Sequence, residues 1–450
     1  MNEKLSFKQT LLIGSLLFGL FFGAGNLIFP VYMGQLAGNN MVQATIGFLI
    51  TGVTLPILGV VASAISRSES LYEMAKPVSP LYSVLFTCAL YLTIGPLFAI
   101  PRTATVAFEV GLTSFVEAEY LKIGLLIFSL FFFALTLYFS LKPGRILDWV
   151  GKYLTPAFVL LLSIIIIATI VQPMGQISEV IPQGAHQDRA FFTGFLEGYH
   201  TMDALASLAF AIVIISNIER LGIMNPKRKA IESLKAGIIC LIGMGAIYSA
   251  LVYMGTTSLG SVSQGANGGV ILSLVSQHYF GFAGQVLLAL IVFVACLKTA
   301  IGLITSCAQM FSEMFPNSIS YNKYAVLFTL TSLVIANFGL ETIIQLSLPV
   351  LMFLYPLAIV LILLSLATPV LRKQKAVYQW TIGFTLVAAI FDFLNAVPDS
   401  VKANSIIQPF LKFAKNFLPA FEYGFGWIIP SLIGLGIGIA IWKYQEKRFI

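Results

Sequence analysis

Seven ionisable side chains interrupt segments that are otherwise apolar: Arg102, Glu109, Glu197, His200, Asp203, Lys298 and Asp392. Charged groups in such segments are expensive, so they face one another or a cavity and mark binding sites and ion paths. The densest group is Glu197, Tyr199, His200, Thr201 and Asp203, within seven residues of FFTGFLEGYHTMDALASLAFAIVII, with Gly198 offering a backbone break beside them. For Glu197 and His200 a second reading stays open, a position near the interface where water solvates them. Arg102 and Glu109 are seven positions apart, two helical turns, so an ion pair within the helix is not obligatory and partners on other helices are equally open.

A second interruption lies near the N-terminus, in LLIGSLLFGLFFGAGNLIFPVYMG. Glycine costs about 1 kcal/mol relative to alanine inside a helix, and this stretch carries Gly14, Gly19, Gly23 and Gly25. Pro30 has no N–H to offer the Asn26 carbonyl, while Gly23 and Gly25 let the backbone leave helical geometry. Carbonyls freed at that depth are tolerated where they line a cavity or meet a ligand. Close helix packing is the other use of these glycines, but it does not call for Asn26 among them.

The elements that carry these residues are membrane spans. The chain of 450 residues is 58% hydrophobic and 10% charged, with a mean hydropathy of +0.92, more apolar surface than an aqueous fold hides. Runs long enough to cross about 30 Å of hydrocarbon are expected near 9–34, 42–65, 80–108, 121–141, 149–172, 192–216, 231–256, 282–311, 323–340, 344–368, 378–397 and 424–443. The first is too long for a cleaved signal peptide and no small-residue cleavage site follows it. Cys88, Cys240, Cys296 and Cys307 all fall in apolar spans, where cysteine acts as a small hydrophobe, and His186, His200 and His278 have no metal-ligand spacing. Most of the Lys and Arg residues, including Arg220, Lys227, Arg228, Lys229 and Lys235 in one loop and Arg372, Lys373 and Lys375 in another, fall on the N-terminal side of the bilayer. This positive-inside pattern puts both termini in the cytoplasm and accounts for the net charge of +7 without a nucleic-acid partner.

Spans 1 and 6 begin two halves of five spans each, and interruptions at corresponding positions of two halves point to a transporter's binding site. Spans 3 and 8 carry the matching strings AIPRTA, around Arg102, and ACLKTA, around Lys298. The uncharged connection 257–281 has a second half that reads as a short amphipathic helix, either a lid over the external face or an ordinary loop. A channel would need a continuous polar stripe, which no span has. An intramembrane enzyme could draw on His200 and Asp203 as an i, i+3 pair, but no nucleophile motif accompanies them.

FGAGNLIFP at 22–30, GPLFAIPRTATVAFEVG at 95–111 and GYHTMDALASLAFAI at 198–212 resemble the branched-chain amino acid:cation symporter (BrnQ, or LIVCS) family, and the resemblance covers essentially the whole chain. It implies an all-α polytopic fold of the leucine-transporter type, a single domain over 1–450 with about 12 transmembrane helices. Two inverted five-helix repeats, about 9–172 and 192–368, would carry broken helices 1 and 6, with two extra helices at about 378–443. It implies alternating-access uptake of leucine, isoleucine and valine across a bacterial cytoplasmic membrane, normally with sodium, with no cofactor and no obligate protein partner. The substrate's carboxylate is expected at the N–H groups of Gly23, Ala24, Gly25 and Asn26, and its ammonium near Tyr199, His200, Thr201 and Asp203. One methylene discriminates by only about 1–3 kcal/mol, so all three side chains should be accepted. The resemblance further implies a sodium site of Gly19 and Phe22 carbonyls with Ala295 and Thr299. Lys298 departs from the hydroxyl common at its position, which opens a second expectation: its ammonium occupies the cation site and transport is proton-coupled or exchange. The competing reading is that Lys298 reaches an aqueous vestibule or an acid on another span.

Overall fold

The computed structural model describes residues 4–68, 70–142 and 145–448, with the side chains of Ala24 and of residues 447 and 448 left aside. Every regular element among them is helical. Several helices start where the sequence offers side-chain acceptors for the first free N–H groups. Ser6 and Gln9 form a reciprocal capping box, Ser79 caps a helix that opens on Pro80, and Asn225 and Asn267 each accept two backbone N–H bonds.

Eleven helices build or enclose the central region: α1 (Phe7–Phe21), α2 (Ala24–Ala37), α3 (Ala99–Gly111), α4 (Thr155–Val171), α5 (His186–Glu197), α6 (Asp203–Arg220), α7 (Pro226–Ser258), α8 (Gly268–Met314), α9 (Leu340–Leu366), α10 (Lys375–Ala396) and α11 (Ile428–Arg448). Nine helical runs among the described residues are long and apolar enough to cross a membrane, ten if the bent pair α5–α6 is one span. This differs from the expected twelve for a geometric reason. The run Gly25–Ser66 takes in the later part of the first expected span and all of the second, because the turn Gly38–Asn40 between them is itself helical. The first and ninth expected spans also contain helices of only 15 and 16 residues, Phe7–Phe21 and Tyr321–Ala336.

The broken elements sit in the middle of the bundle. α6 is buried along nearly its whole length, as is the second half of α8. α4, α11 and the helix Leu121–Ser140 form the perimeter and expose Leu126, Ile127, Phe131, Leu160, Ile167, Leu432 and Ile433, the surface that lipid tails require. α2 packs on α7 through paired glycines: a Cβ on Gly34 would lie 2.2 Å from the Val252 carbonyl oxygen, and one on Gly255 2.0 Å from that of Val31. Small residues that let backbones approach this closely are how helices associate in lipid.

Within the connection 257–281 the second half is helical. Residues 268–280 form the first part of α8, which turns at Gly281 (φ 56°, ψ −136°) before the long buried part begins. That first part rests on α2, where a Cβ on Gly268 would lie 1.8 Å from the Ile28 carbonyl oxygen. Gln35 ties the approach down, donating to Ser258 Oγ (2.8 Å) and accepting from the Gly265 N–H (3.0 Å).

Candidate functional site

The first span breaks over two residues. α1 ends at Phe21, Phe22 (φ −72°, ψ 89°) and Gly23 (φ −116°, ψ −155°) leave helical geometry, and α2 begins at Ala24. Pro30, expected to help open the segment, lies inside α2, which continues through it, as membrane helices tolerate a proline where neighbouring elements hold the turn. What the break frees is the end of α1. The Gly23 N–H, which would have closed the last turn on Gly19, instead donates to Asn26 Oδ1 (2.9 Å).

The carbonyls left open at the break face α8. Lys298 Nζ donates to the carbonyl oxygens of Gly19 (3.1 Å) and Phe22 (2.5 Å), and Thr299 Oγ1 lies 3.4 Å from that of Leu20. Lys298 is fully buried, and its ammonium lies 5.6, 5.7 and 4.5 Å from the ring centroids of Phe18, Phe22 and Phe158, a cage of π faces suited to a cation. Two glycines let α4 and α8 come close to this break. A Cβ on Gly19 would meet Thr155 Oγ1 at 2.0 Å, and one on Gly23 would meet Thr299 Oγ1 at 2.8 Å. Ala295 is buried one turn before Thr299 within continuous helix.

The second break lies four residues beyond the expected glycine. Gly198 stays in a right-handed turn, Gly198–Thr201, and the chain reverses at Met202 (φ 62°, ψ 9°) before α6 starts, bending the pair by 43°. A left-handed non-glycine residue costs about 1–3 kcal/mol and persists only where its surroundings hold it; Met202 is buried. Gly198 serves contact instead, since a Cβ there would meet Thr51 Oγ1 at 1.9 Å. Thr201 Oγ1 donates to the Gly198 carbonyl (2.9 Å) and accepts from the Asp203 N–H (3.3 Å). Asp203 is then the first residue of α6, where a helix N-terminus favours a carboxylate.

Asn26 joins the two breaks. Its Nδ2 donates to Asp203 Oδ2 (2.5 Å) and to the Tyr248 hydroxyl, which itself donates to Asp203 Oδ2 (3.2 Å). From α3, Arg102 Nη1 donates to the His200 carbonyl (2.8 Å), and its guanidinium lies over the Phe29 ring at 5.5 Å. Between these groups lies a cavity of about 30 Å³, room for a water molecule or two. Gly23, Gly25, Asn26, Arg102, Thr201 and Asp203 form its polar end, and Leu20, Phe21, Ile94, Ala206, Phe210 and Leu303 its apolar walls.

Of the residues singled out in the sequence, Gly23, Gly25, Asn26, Thr201, Asp203, Arg102 and Thr299 therefore meet at one cavity. Ala24 opens α2. Tyr199 and His200 turn their side chains elsewhere: Tyr199 stacks on Tyr355 (3.9 Å between centroids) and His200 packs on Phe29 (5.1 Å). Glu197 is half-buried outside the cavity lining. Glu109 accepts from the Leu340 N–H (3.3 Å) on the wall of a separate cavity of about 540 Å³. Tyr248 and the Phe18–Phe158 cage carry no signal in the sequence, since aromatic residues in apolar spans are ordinary interior residues.

The chain matches the family model described as branched-chain amino acid transport protein over residues 6–445. It is 47% identical to a branched-chain amino acid permease BrnQ of Lactobacillus delbrueckii subsp. lactis, covering 100% of both chains, and 41% identical to a permease of that name from Bacillus subtilis (strain 168), covering 99% of this chain and 100% of that one. Among solved structures it resembles a nucleobase-cation-symport-1 family transporter in a closed conformation with bromovinylhydantoin bound (TM-score 0.62, 14% identity, 98% and 93% coverage). It also resembles MhsT in complex with L-phenylalanine (TM-score 0.55, 13% identity, 98% and 99% coverage). These two likenesses concern the fold, which is that of the leucine-transporter group. With the family model and the permeases matching along its length, this chain is a membrane transporter and not an enzyme, and it belongs to the branched-chain amino acid transport protein family.

Proposed function

We propose that the chain imports leucine, isoleucine and valine across a bacterial cytoplasmic membrane by alternating access, with both termini cytoplasmic. The observation that carries this reading is the convergence of two broken helices on one buried cavity with opposite charges at its polar end and an aliphatic and aromatic wall beyond. The α2 N-terminus offers N–H groups to a carboxylate. Asp203 offers a negative wall to an ammonium, and the apolar residues select a branched side chain by size. At about 30 Å³ the cavity must widen to admit an amino acid, which is the movement that alternating access supplies.

For the coupling ion, a specific observation favours the proton. The Gly19 and Phe22 carbonyls are the donors a sodium ion would take, and the Lys298 ammonium is hydrogen-bonded to both. The two cations do not fit there together. A proton carried on Lys298 Nζ would hold the freed end of α1 to α8 while the site is closed, and its departure to the cytoplasm would weaken that hold and let the helices part. Purified protein in liposomes, given a proton gradient without sodium, should accumulate leucine. Accumulation under a sodium gradient alone, with none from protons, would overturn the proton reading, and no uptake under either would overturn the substrate.

A further inference from the structure

We infer that Arg102 is the receptor for the substrate's carboxylate, so that recognition rests on a side chain of α3 as well as on the broken helices. The inference rests on the proposed amino-acid substrate and adds the residue that reads its charge. Arg102 is only 4% exposed, and a buried guanidinium without a counter-ion is disfavoured. Among the described residues no carboxylate lies within ion-pair distance of it; the ion pairs there, such as Lys229–Glu219 and Lys235–Glu232, lie elsewhere. Among the described residues one nitrogen of its five-donor guanidinium is engaged, Nη1 on the His200 carbonyl.

The second terminal nitrogen, Nη2, faces α2. A Cβ on Gly25 would lie 3.1 Å from Arg102 Nη2, so the absence of a side chain at Gly25 lets the guanidinium lie against the first turn of a helix whose opening N–H groups have no partner within it. An anion at that spot meets a fork of charged donors from one side and helix N–H groups from the other, the arrangement that binds carboxylates in two-pronged fashion. Asp203 lines the same polar end of that cavity. The positive and negative walls therefore match a zwitterion in one orientation, carboxylate toward Arg102 and ammonium toward Asp203. Because Nη1 holds the His200 carbonyl in the turn before α6, a carboxylate gripped by the same guanidinium links the α2 N-terminus to the second break. Arg102 would thus act in closure as well as in recognition.

A purely structural arginine would do no more than satisfy the His200 carbonyl, a role that leaves the ligand's charge irrelevant. The test is binding of leucine against leucinamide, which keeps the ammonium and side chain and lacks the carboxylate, to purified wild type, Arg102→Gln and Arg102→Lys, each checked for a single folded species by size exclusion. Wild type should prefer leucine. In Arg102→Gln the leucine Kd should rise at least about 30-fold, with leucinamide nearly unaffected, so that the preference disappears. Arg102→Lys, which keeps the charge and a donor for His200, should fall between them and serves as the reading if the glutamine variant does not fold. An unchanged leucine-to-leucinamide ratio in the folded variant overturns the inference. Failure of wild type to bind any branched-chain amino acid would instead overturn the substrate assignment on which it rests.

Discussion

An ammonium seated on two carbonyls and among three aromatic rings leaves a defined hole when it is removed. Lys298→Ala strands the Gly19 and Phe22 carbonyls in the interior at a cost of about 1–3 kcal/mol each, and opens room at a position with freed carbonyl oxygens and the Thr299 hydroxyl nearby. The variant should lose proton-driven leucine accumulation and melt at a lower temperature than wild type. Sodium ions should raise its melting temperature while leaving that of the wild type unchanged; a sodium response equal in both would sink the idea that the ammonium and the ion compete for one position. Gly23→Ala probes the same contact from the other helix. Its Cβ would lie 2.8 and 2.9 Å from the Thr299 Oγ1 and Cγ2 atoms, so transport should fall at least tenfold, on the order of 1–3 kcal/mol of overpacking. Thr299→Ala added to it should recover part of that activity. At this scale the sequence was informative where a residue type conflicted with its surroundings, as Lys298 and Arg102 do in apolar spans. It was silent on Phe158 and Tyr248, whose types are those of any membrane interior and whose importance lies in what faces them.

The two breaks depend on one another through Asn26, whose amide accepts from Gly23 of its own segment and donates to Asp203 of the other. Asn26→Asp would set two carboxylates against each other and should abolish binding. The exchanged pair Asn26→Asp with Asp203→Asn keeps every contact with the Tyr248 bonds reversed: a carboxylate at position 26 accepts from the Gly23 N–H, from the new amide and from the Tyr248 hydroxyl, which in turn accepts from the amide at 203. It moves the negative charge from α6 to α2. The double variant should therefore recover the thermal stability lost in Asn26→Asp but not the leucine affinity. Recovery of both would mean that Asp203 supplies only a hydrogen-bond acceptor and does not meet the ammonium. That each segment is interrupted was legible from glycine, asparagine and charge in apolar runs. The first break falls at Gly23, where the glycines pointed, but the second does not fall at Gly198. Pro30 lies past the first turn of α2 and the helix absorbs it, while Met202 adopts a left-handed backbone because buried neighbours hold it there. The meeting of Asn26 with Asp203, 177 residues apart, is a product of packing that neither segment announces.

Across the whole molecule, hydropathy foretold a helical bundle, but it did not count the runs, since helical turns join neighbouring spans and short helices meet at breaks. It also left undecided whether the connection 257–281 is a lid, and here the packing supplies a reason. The first part of α8 rests on α2 with Gly268 against the Ile28 carbonyl, two residues beyond Asn26, so one short helix bears the candidate substrate contacts and the seat of the overlying segment. A helix that tilts to open the cavity must then lift or carry that segment with it. Gly268→Ala places a methyl group 1.8 Å from a backbone oxygen, a clash that no side-chain rotation relieves, so residues 268–280 should no longer seat on α2. Leucine binding in detergent should stay within about threefold of wild type, because no cavity-lining residue changes, while accumulation in liposomes should fall at least about tenfold as closure fails. A cysteine introduced at Gln264, in a background without the four native cysteines, should label faster from outside in the Gly268→Ala protein if the segment lifts. Equal labelling together with unchanged accumulation would reduce 268–280 to an ordinary connection and leave closure to the broken helices alone.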